Sequence, residues 1–285
     1  MKAIVTGGCG FVGSNLVDKL INLDYDVIVI DDLSSGKKEN CNDNASYVFD
    51  DFKISLLKSN GVFQDVDVIF HLAAEARIQP SFEDPLHTCH NNSYGSAVVA
   101  EFARINDCKV VYAGSSSFYG GVYLNPYAFA KWQGEEVFKM YSEVYGIESG
   151  IGRFFNVYGP RNPLIGQYTP VVAIFEEQSR LQKDLTIVGD GNQRRDFTHV
   201  YDICDGLIAI SKGSWKGEVF NLGTGVNHSI NELADLFGGN KKYLPSRLGE
   251  ARMTLADISK TTKLTGWIPK HTLEKHVADF LLSVK

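Results

Sequence analysis

Short apolar segments alternate with helical segments through the first half of the chain. Six apolar runs, AIVT, DVIVI, YVF, DVIFHLA, KVVYAGS and SGIGRF, are interleaved with predicted helices that include residues 11–22, 93–105 and 127–145. Strands that are apolar on both faces are typical of a parallel sheet with helices on both sides. The alternation therefore predicts the α/β class, with a Rossmann-type doubly wound parallel sheet.

The pattern changes after the last of these strands. Prolines and glycines interrupt the chain before a predicted helix over residues 171–180, and the later segment GDGNQRRDF is polar and turn-like. Residues 198–222 return to a helix followed by a strand. We therefore predict a larger domain over 1–155, which 198–222 rejoin, and a smaller C-terminal lobe made of 156–197 and 223–285.

Composition argues against several classes of partner. The net charge is −6 without a basic cluster, which disfavours nucleic acid. No apolar run approaches the length of a membrane span, and the first is too short for a signal peptide, so no membrane partner is expected. The five cysteines are scattered without CxxC pairs, which predicts reduced thiols in a cytoplasmic protein. No His, Cys and carboxylate cluster has metal-ligand spacing, so no metal is expected.

A glycine-rich turn follows the first strand. Gly7, Gly10 and Gly13 open the first predicted helix, where glycines let the backbone approach a pyrophosphate and the helix N-terminus offers unpaired N–H groups. Asp31 ends the next strand, at about the separation expected for an acid that binds the adenosine ribose. These residues predict a dinucleotide site. Asp31 and Asp32 would repel a 2′-phosphate, which favours NAD over NADP.

A second group of polar residues follows another core strand. Ser115 ends KVVYAGS, at the edge where open α/β sheets bind ligands, and Tyr127 and Lys131 share one face of the next helix. Free tyrosine, with a pKa near ~10, is a poor base, but a neighbouring ammonium and the nicotinamide charge favour the phenolate. The group predicts proton transfer by Tyr127, assisted by Ser115, while hydride passes to the cofactor. The alternative makes Tyr127 a core aromatic residue and Lys131 a surface charge.

Ordered motifs from about residue 2 to about residue 280 indicate one family. TGGCGFVG, DDLSSG, HLAAEA, SSSFYG, YAFAK, FFNVYGPR, GDGNQRRDF and ADISKTTKLTGWIPK resemble the extended short-chain dehydrogenase/reductase family. The resemblance is closest to its nucleotide-sugar epimerase/dehydratase branch, the UDP-glucose 4-epimerases and their relatives. It implies NAD as cofactor and a nucleotide sugar, most simply a UDP-sugar, bound by the smaller lobe. It also implies a homodimer in which the helices over 93–105 and 127–145 pack against the partner's pair.

The resemblance further implies roles for single residues. Besides the glycines and Asp31, the residues expected to contact NAD are Phe11, Val12, Asp32, Leu33, Ser34, Ser35, Gly36, Asp51, Phe52, Leu72, Ala73, Ala74, Asn91, Ser115, Tyr127, Lys131 and Phe155. The residues expected to contact the nucleotide sugar are Ser115, Ser116, Tyr127, Asn156, Gln167, Arg195, Arg247 and Glu250, with Arg252 as a further candidate. Guanidinium groups suit this task because they meet phosphate bidentately. The alternatives are backbone satisfaction for Asn91 and a plain surface position for each arginine.

The chain departs from the family pattern in one loop. Only residues 121–126 separate the Tyr-Gly that ends the serine motif from Tyr127, where relatives usually have a long excursion that covers the pocket. The short loop leaves the site more open unless another segment closes it. Asp32, where the family often has asparagine, is compatible with NAD.

Three functions compete. The first is a 4-epimerase of a UDP-hexose, such as the UDP-glucose/UDP-galactose pair, which would oxidise C4 transiently and return the hydride to the opposite face. The second is a nucleotide-sugar 4,6-dehydratase or decarboxylase; the family's dehydratases place an acid directly after the catalytic Ser/Thr, whereas Ser116 and Ser117 follow Ser115 here. The third is a catalytically silent NAD-binding protein, against which the intact Ser115, Tyr127 and Lys131 argue. The epimerase is favoured.

Overall fold

The structure is a computed structural model that describes residues 1–59, 61–163 and 169–284. The strands are β1 (Lys2–Thr6), β2 (Asp26–Ile30), β3 (Ser46–Val48), β4 (Val68–His71), β5 (Lys109–Ser115), β6 (Ser149–Phe154), β7 (Val157–Tyr158), β8 (Leu185–Val188), β9 (Arg194–Asp196), β10 (Thr198–His199), β11 (Lys216–Leu222), β12 (Asn227–Ser229) and β13 (Lys241–Leu244). The helices are α1 (Phe11–Ile21), α2 (Phe52–Leu57), α3 (Ile78–Glu83), α4 (Pro85–Cys89), α5 (Gly95–Asn106), α6 (Ser117–Gly120), α7 (Pro126–Tyr145), α8 (Val171–Arg180), α9 (Val200–Ser211), α10 (Ile230–Phe237), α11 (Ser259–Thr265) and α12 (Leu273–Ser283).

A parallel sheet of seven strands lies at the centre, in the order β11-β6-β5-β4-β1-β2-β3. The first strand, β1, pairs with β2 on one side and with β4 on the other, so Val5 lies beside both Val29 and Phe70. The order of the strands reverses between β1 and β4. Such a switch point marks where a doubly wound sheet binds ligands at the carboxyl ends of its strands. The predicted fold class is confirmed.

Helices cover both faces of the sheet because its strands are apolar on both faces. On one face, Leu16 of α1 and Leu207 of α9 pack against Val5. On the other face, Val99 of α5 and Phe138 of α7 belong to the second core. All five side chains have no measurable exposure, and burial of each large apolar side chain contributes about 1.5–3 kcal/mol.

The strand β11 completes the sheet from a distant part of the chain. It pairs in parallel with β6, and Leu222 lies beside Phe154. The helix that precedes it, α9, packs against α1. Residues 200–222 therefore lie against the sheet, although residues 156–197 separate them from β6.

The remaining residues form a smaller lobe with its own core. Phe175 of α8, Leu185 of β8 and Leu233 of α10 are buried together. The prediction that GDGNQRRDF is turn-like is wrong for its RRD residues, which form β9. They pair antiparallel with β12, so that Arg195 lies opposite His228. A partner strand more than thirty residues away supplies these hydrogen bonds, and no local pattern indicates it.

The helix that carries the predicted catalytic residues has a defined start. α7 begins at Pro126, where the missing N–H costs nothing, and Asn125 caps it by accepting a hydrogen bond of 2.7 Å from the Ala128 N–H. The predicted helix over 93–105 belongs to a longer helical run from α4 to α5 through a π-helical turn at His90–Tyr94. In the described part of the chain, no helix is long and apolar enough to cross a membrane.

Candidate active site

A cleft of about 670 Å³ lies at the carboxyl ends of the central strands. It is lined by the glycine-rich turn, the ends of β2, β4, β5 and β6, the start of α7 and parts of the smaller lobe. Most predicted contact residues share this surface. The described residues that were predicted but do not line the cleft are Leu33, Gly36, Asp51, Arg247, Glu250 and the further candidate Arg252. Gln167 lies outside the described residues.

The glycine-rich turn leaves no room for side chains. Gly7 has a φ of +74°, and a Cβ there would lie 2.8 Å from the backbone nitrogen of Ala73. A Cβ at Gly13 would lie 2.1 Å from the carbonyl oxygen of Gly7. The helix α1 then begins with Gly10 as its N-cap and with no side chain on its first amides. Those amides are left for an anion, so the turn fits the pyrophosphate of a dinucleotide.

Asp31 is fixed at the end of β2 by two backbone hydrogen bonds. Its Oδ2 accepts from the Cys9 N–H at 2.9 Å, and its Oδ1 accepts from the Leu33 N–H at 2.8 Å. Burial raises the pKa of Asp31, and these two hydrogen bonds act in the opposite direction. Each oxygen keeps a further lone pair for a ribose hydroxyl, so the carboxylate fits the predicted role. Asp32 accepts instead from the Ser34 hydroxyl at 2.6 Å.

Lys53, which the sequence analysis did not select, connects two of the predicted NAD-contact residues. The Lys53 Nζ lies 2.9 Å from Asp51 Oδ2 and donates to Asn91 Oδ1 at 2.7 Å. The Asp51 carboxylate also caps α2 by accepting from the Lys53 N–H at 2.7 Å. These contacts lower the pKa of Asp51 against the opposing effect of its burial. Lys53 is buried, so Asp51 is held beside the cleft in its charged form.

Ser115 and Tyr127 meet at the end of β5. Both residues line the cleft, and Ser115 is near enough to Tyr127 to lower the pKa of its hydroxyl. The Ser115 Oγ accepts from the Ser117 Oγ at 2.9 Å and from the Ser117 N–H at 3.2 Å. Since the Ser115 oxygen is already accepting, its own proton is free to be donated. Ser117 thus orients Ser115, a role that the sequence did not indicate.

The charges around Tyr127 differ from the expectation. Burial raises the pKa of Tyr127, whereas the Ser115 hydrogen bond and the positive charge of Arg77 lower it. Burial lowers the pKa of Lys131 to about 7, against the opposing charge of Glu135. The Lys131 Nζ lies 4.3 Å from the centroid of the Tyr112 ring. Arg77, rather than Lys131, is therefore the cation whose charge acts on Tyr127 in the chain alone.

The position of α7 is secured by a buried ion pair. Arg153 of β6 donates two hydrogen bonds to the Glu135 carboxylate, from Nη2 at 2.6 Å and from Nε at 3.0 Å. Both side chains are almost fully buried. The Arg153 guanidinium carbon lies 3.5 Å from the centroid of the Phe118 ring, which covers it. Removing one partner of such a pair leaves an uncompensated buried charge and costs about 3–5 kcal/mol. The pair therefore fixes α7 against the sheet edge that carries Ser115.

The smaller lobe brings some of the predicted substrate residues to the cleft. Asn156 and Arg195 line it, and the Arg195 guanidinium lies 3.6 Å from Glu250 Oε2. Arg247 is exposed and lies outside the lining. Arg252 is engaged by Asp190 through two hydrogen bonds of 3.0 and 2.8 Å, also away from the lining. Arg195 is thus the arginine of this set that faces the cleft.

A segment of the smaller lobe closes the cleft beside the short loop. The Asn125 amide donates to the Gly249 carbonyl at 3.0 Å, and the Gln79 amide donates to the Leu248 carbonyl at 2.9 Å. Gly249 has a φ of +76°, and a Cβ there would lie 2.8 Å from the Phe82 ring. Residues 248–251 therefore pack against the end of the short loop and against α3 at the rim of the cleft.

Comparison with known proteins defines the class. The model of the NAD dependent epimerase/dehydratase family matches residues 3–223. The chain belongs to this family, which confirms the recognised resemblance and the prediction of NAD as cofactor.

Individual relatives are similar over nearly the whole chain. A putative UDP-glucose 4-epimerase of Methanocaldococcus jannaschii is 38% identical over 96% of this chain and 95% of its own length. A UDP-glucose 4-epimerase of Mycolicibacterium smegmatis is 33% identical over 98% and 96%. The crystal structure of a UDP-glucose 4-epimerase from Thermotoga maritima, solved with UDP-glucose, superposes with a TM-score of 0.92 at 32% identity and covers all of both chains.

Proposed function

We propose that this protein is an NAD-dependent UDP-sugar 4-epimerase, an isomerase. The observation that carries the proposal is that Ser115 and Tyr127 lie together on the same cleft as the glycine-rich turn. Relatives named UDP-glucose 4-epimerases match the chain almost from end to end. The UDP-glucose/UDP-galactose pair is the simplest substrate pair to test.

The residues of the cleft divide into a cofactor set and a reacting set. Gly7, Gly13 and Asp31 would hold NAD, which supplies a hydride acceptor at the sugar when it is bound. Tyr127 takes the proton of the C4 hydroxyl as its base and later returns a proton to the same oxygen. Ser115 donates a hydrogen bond to that oxygen, because its own oxygen is occupied by Ser117.

The nucleotide half of the substrate is assigned to the smaller lobe. Arg195 and Asn156 face the cleft from this side and suit a diphosphate. Glu250 holds the Arg195 guanidinium in place. We propose the corresponding division of the chain, with 1–155 and 198–222 for the cofactor and the remaining residues for the nucleotide sugar.

An elimination reaction is less well supported. Ser116 and Ser117 follow Ser115, and the Ser117 hydroxyl is engaged with Ser115. Neither side chain is an acid that could protonate a leaving hydroxyl. The cleft offers Tyr127 for proton transfer at C4, which is all that epimerisation requires.

We also propose a homodimer formed through α5 and α7. These helices pack against each other, and apolar side chains on them remain exposed, namely Ile105, Met140, Val144 and Tyr145. Sedimentation at micromolar concentration should give twice the monomer mass.

The five cysteines are free thiols, which supports the proposal that the protein works in the cytoplasm.

The function is tested by incubating the purified, NAD-loaded protein with UDP-glucose and, separately, with UDP-galactose. Each should be converted to the other without added NADH and without a lasting absorbance of reduced cofactor. A 4-keto-6-deoxy sugar as product would replace the epimerase with a dehydratase.

A further inference from the structure

One guanidinium group on the cleft makes no hydrogen bond or ion pair within the described part of the chain. Arg77 lies at the start of α3, lines the cleft with Ser115 and Tyr127, and makes no hydrogen bond or ion pair with a described residue. The other guanidinium groups of the lining differ. Arg161 pairs with Asp18 at 2.7 Å, and Arg195 pairs with Glu250 at 3.6 Å. Among these three guanidinium groups, Arg77 is therefore the one without an ion pair.

The nearest acid in sequence is already engaged. The Glu75 Oε1 lies 3.1 Å from His87 Nε2, which also contacts the Asn91 amide at 3.0 Å. The Glu75 N–H is bonded to Asn92 Oδ1 at 2.8 Å, so the position of this residue is fixed. The carboxylate of Glu75 is thus in contact with His87, and its charge acts on Arg77 only from beyond ion-pair distance.

The backbone near Arg77 is tied to the catalytic helix. The Ser81 Oγ of α3 accepts from the Tyr127 N–H at 3.1 Å and donates to the Ile78 carbonyl at 2.6 Å. Gln79 is bonded to the closing segment at Leu248. The short helix α3 therefore holds a fixed place beside Tyr127, and Arg77 precedes its first residue.

A half-buried guanidinium that makes no ion pair is suited to an anionic ligand. Burial lowers the pKa of Arg77 and the charges of Tyr127 and Glu75 act in the opposite direction. The guanidinium stays charged because its ordinary pKa lies far above neutrality. The diphosphate of the substrate is assigned to Arg195, across the cleft in the smaller lobe. The group that faces Arg77 is then the sugar itself, at the end where Tyr127 acts on C4. In a hexose the carbon next to C4 carries C6, which is a carboxylate in hexuronates.

We propose that the sugar epimerised here is a hexuronate and that Arg77 binds its C6 carboxylate. The inference rests on the proposed 4-epimerase function and names its substrate class, UDP-glucuronate and UDP-galacturonate. A planar guanidinium meets a carboxylate with two parallel hydrogen bonds, which a neutral hydroxymethyl group cannot match. Arg77 is thus a specificity-determining residue.

The test compares the acid and neutral sugars in four proteins: wild type, Arg77→Gln, Arg77→Lys and Arg180→Gln. Arg180 is an exposed arginine paired with Glu177 on α8 and serves as the matched control. Wild type should favour the uronates in kcat/KM by roughly 10- to 100-fold, the effect of hydrogen bonds to a charged group. Arg77→Gln should remove this preference, because kcat/KM for the uronates should fall by roughly 10- to 100-fold more than kcat/KM for the hexoses. Arg77→Lys should retain part of the preference. The control should behave as wild type.

Two results would overturn the inference. One is a wild type that converts the hexoses as well as the uronates. The other is an Arg77→Gln protein that loses both activities equally, which would mean that Arg77 acts only on the Tyr127 hydroxyl.

A binding measurement separates this inference from the proposed function. UDP-glucuronate and UDP-glucose are titrated calorimetrically into NAD-loaded Tyr127→Phe and Tyr127→Phe/Arg77→Gln proteins. Loss of Arg77 should weaken UDP-glucuronate alone by roughly 10- to 100-fold. A wild type that converts neither pair would refute the epimerase function, and the titration would still decide whether Arg77 binds the carboxylate. Equal affinities for UDP-glucuronate and UDP-glucose in both proteins would refute carboxylate binding by Arg77.

Discussion

The two walls of the cleft are built in different ways. The cofactor wall consists of the glycine-rich turn, Asp31 and Lys53. Its shape at the predicted pyrophosphate site is determined by backbone atoms of the turn. The sugar wall consists of Arg77, Asn125, Arg195 and residues 248–251, and side chains define it. Its hydrogen bonds join residues that are 124 and 169 positions apart in the chain.

The difference has a consequence for how each wall can change. A Cβ at Gly13 would lie 2.1 Å from the Gly7 carbonyl oxygen, which accepts the hydrogen bond from the Gly10 N–H that closes the turn. The cofactor wall therefore tolerates little substitution. The sugar wall closes through contacts between side chains and a loop, which other residues could replace. The cofactor wall thus fixes the kind of reaction, while the sugar wall sets which sugar reacts.

The largest effect is expected where the walls meet. Replacing Tyr127 with phenylalanine should lower kcat by about 10²–10⁴-fold, because no proton acceptor remains at the C4 hydroxyl. NAD affinity and the melting temperature should stay close to those of wild type. A Tyr127→Phe enzyme that epimerises at the wild-type rate would show that another group is the base.

The next largest effect should be confined to the cofactor wall. Gly13→Ala should weaken NAD by more than about 100-fold, because the methyl group cannot fit against the Gly7 carbonyl. Gly238→Ala is the matched control, since Gly238 ends α10 and nothing lies within 4 Å of a Cβ there. NAD affinity is measured by calorimetry, and equal affinities in the two variants would remove the argument for a backbone-defined wall.

A smaller effect should be confined to the sugar wall. Arg195→Gln should raise the Kd of UDP by roughly 10- to 100-fold through loss of a charged contact to the diphosphate. The Kd of NAD should not change, because Arg195 belongs to the smaller lobe. If NAD and UDP were weakened alike, the two walls would not be independent.

The smallest effect concerns Lys131, which lies between the walls. The pKa of Lys131 is about 7 in the folded chain, below its ordinary value of 10.5. Between these two pH values Lys131 is protonated in the unfolded chain and mostly neutral in the folded chain. The free energy of unfolding of wild type should therefore rise with pH, relative to Lys131→Met, by about 1 kcal/mol per pH unit. Urea unfolding at pH 7, 8 and 9 measures this slope. Equal slopes for wild type and Lys131→Met would contradict this prediction.

The local parts of the molecule were predictable from the sequence. Continuous apolar runs indicated strands buried on both faces, and the structure has them in one parallel sheet. The glycines and Asp31 were predictable because a tight turn and a strand end depend on residues close in sequence. Ser115 and Tyr127 were predictable because both occupy the carboxyl edge of a doubly wound sheet, where ligands bind.

Only the tertiary structure decided the rest. The strand β9 exists because β12 lies opposite it, and the cleft is closed by residues 248–251 because they reach Asn125 and α3. The sequence analysis selected Arg247 and did not select Arg77, which follows the HLAAEA motif, yet Arg77 lines the cleft with Tyr127 and Arg247 is exposed outside it. Backbone conformation is set largely by neighbours in the chain, whereas the partner of a charge is set by how distant elements pack.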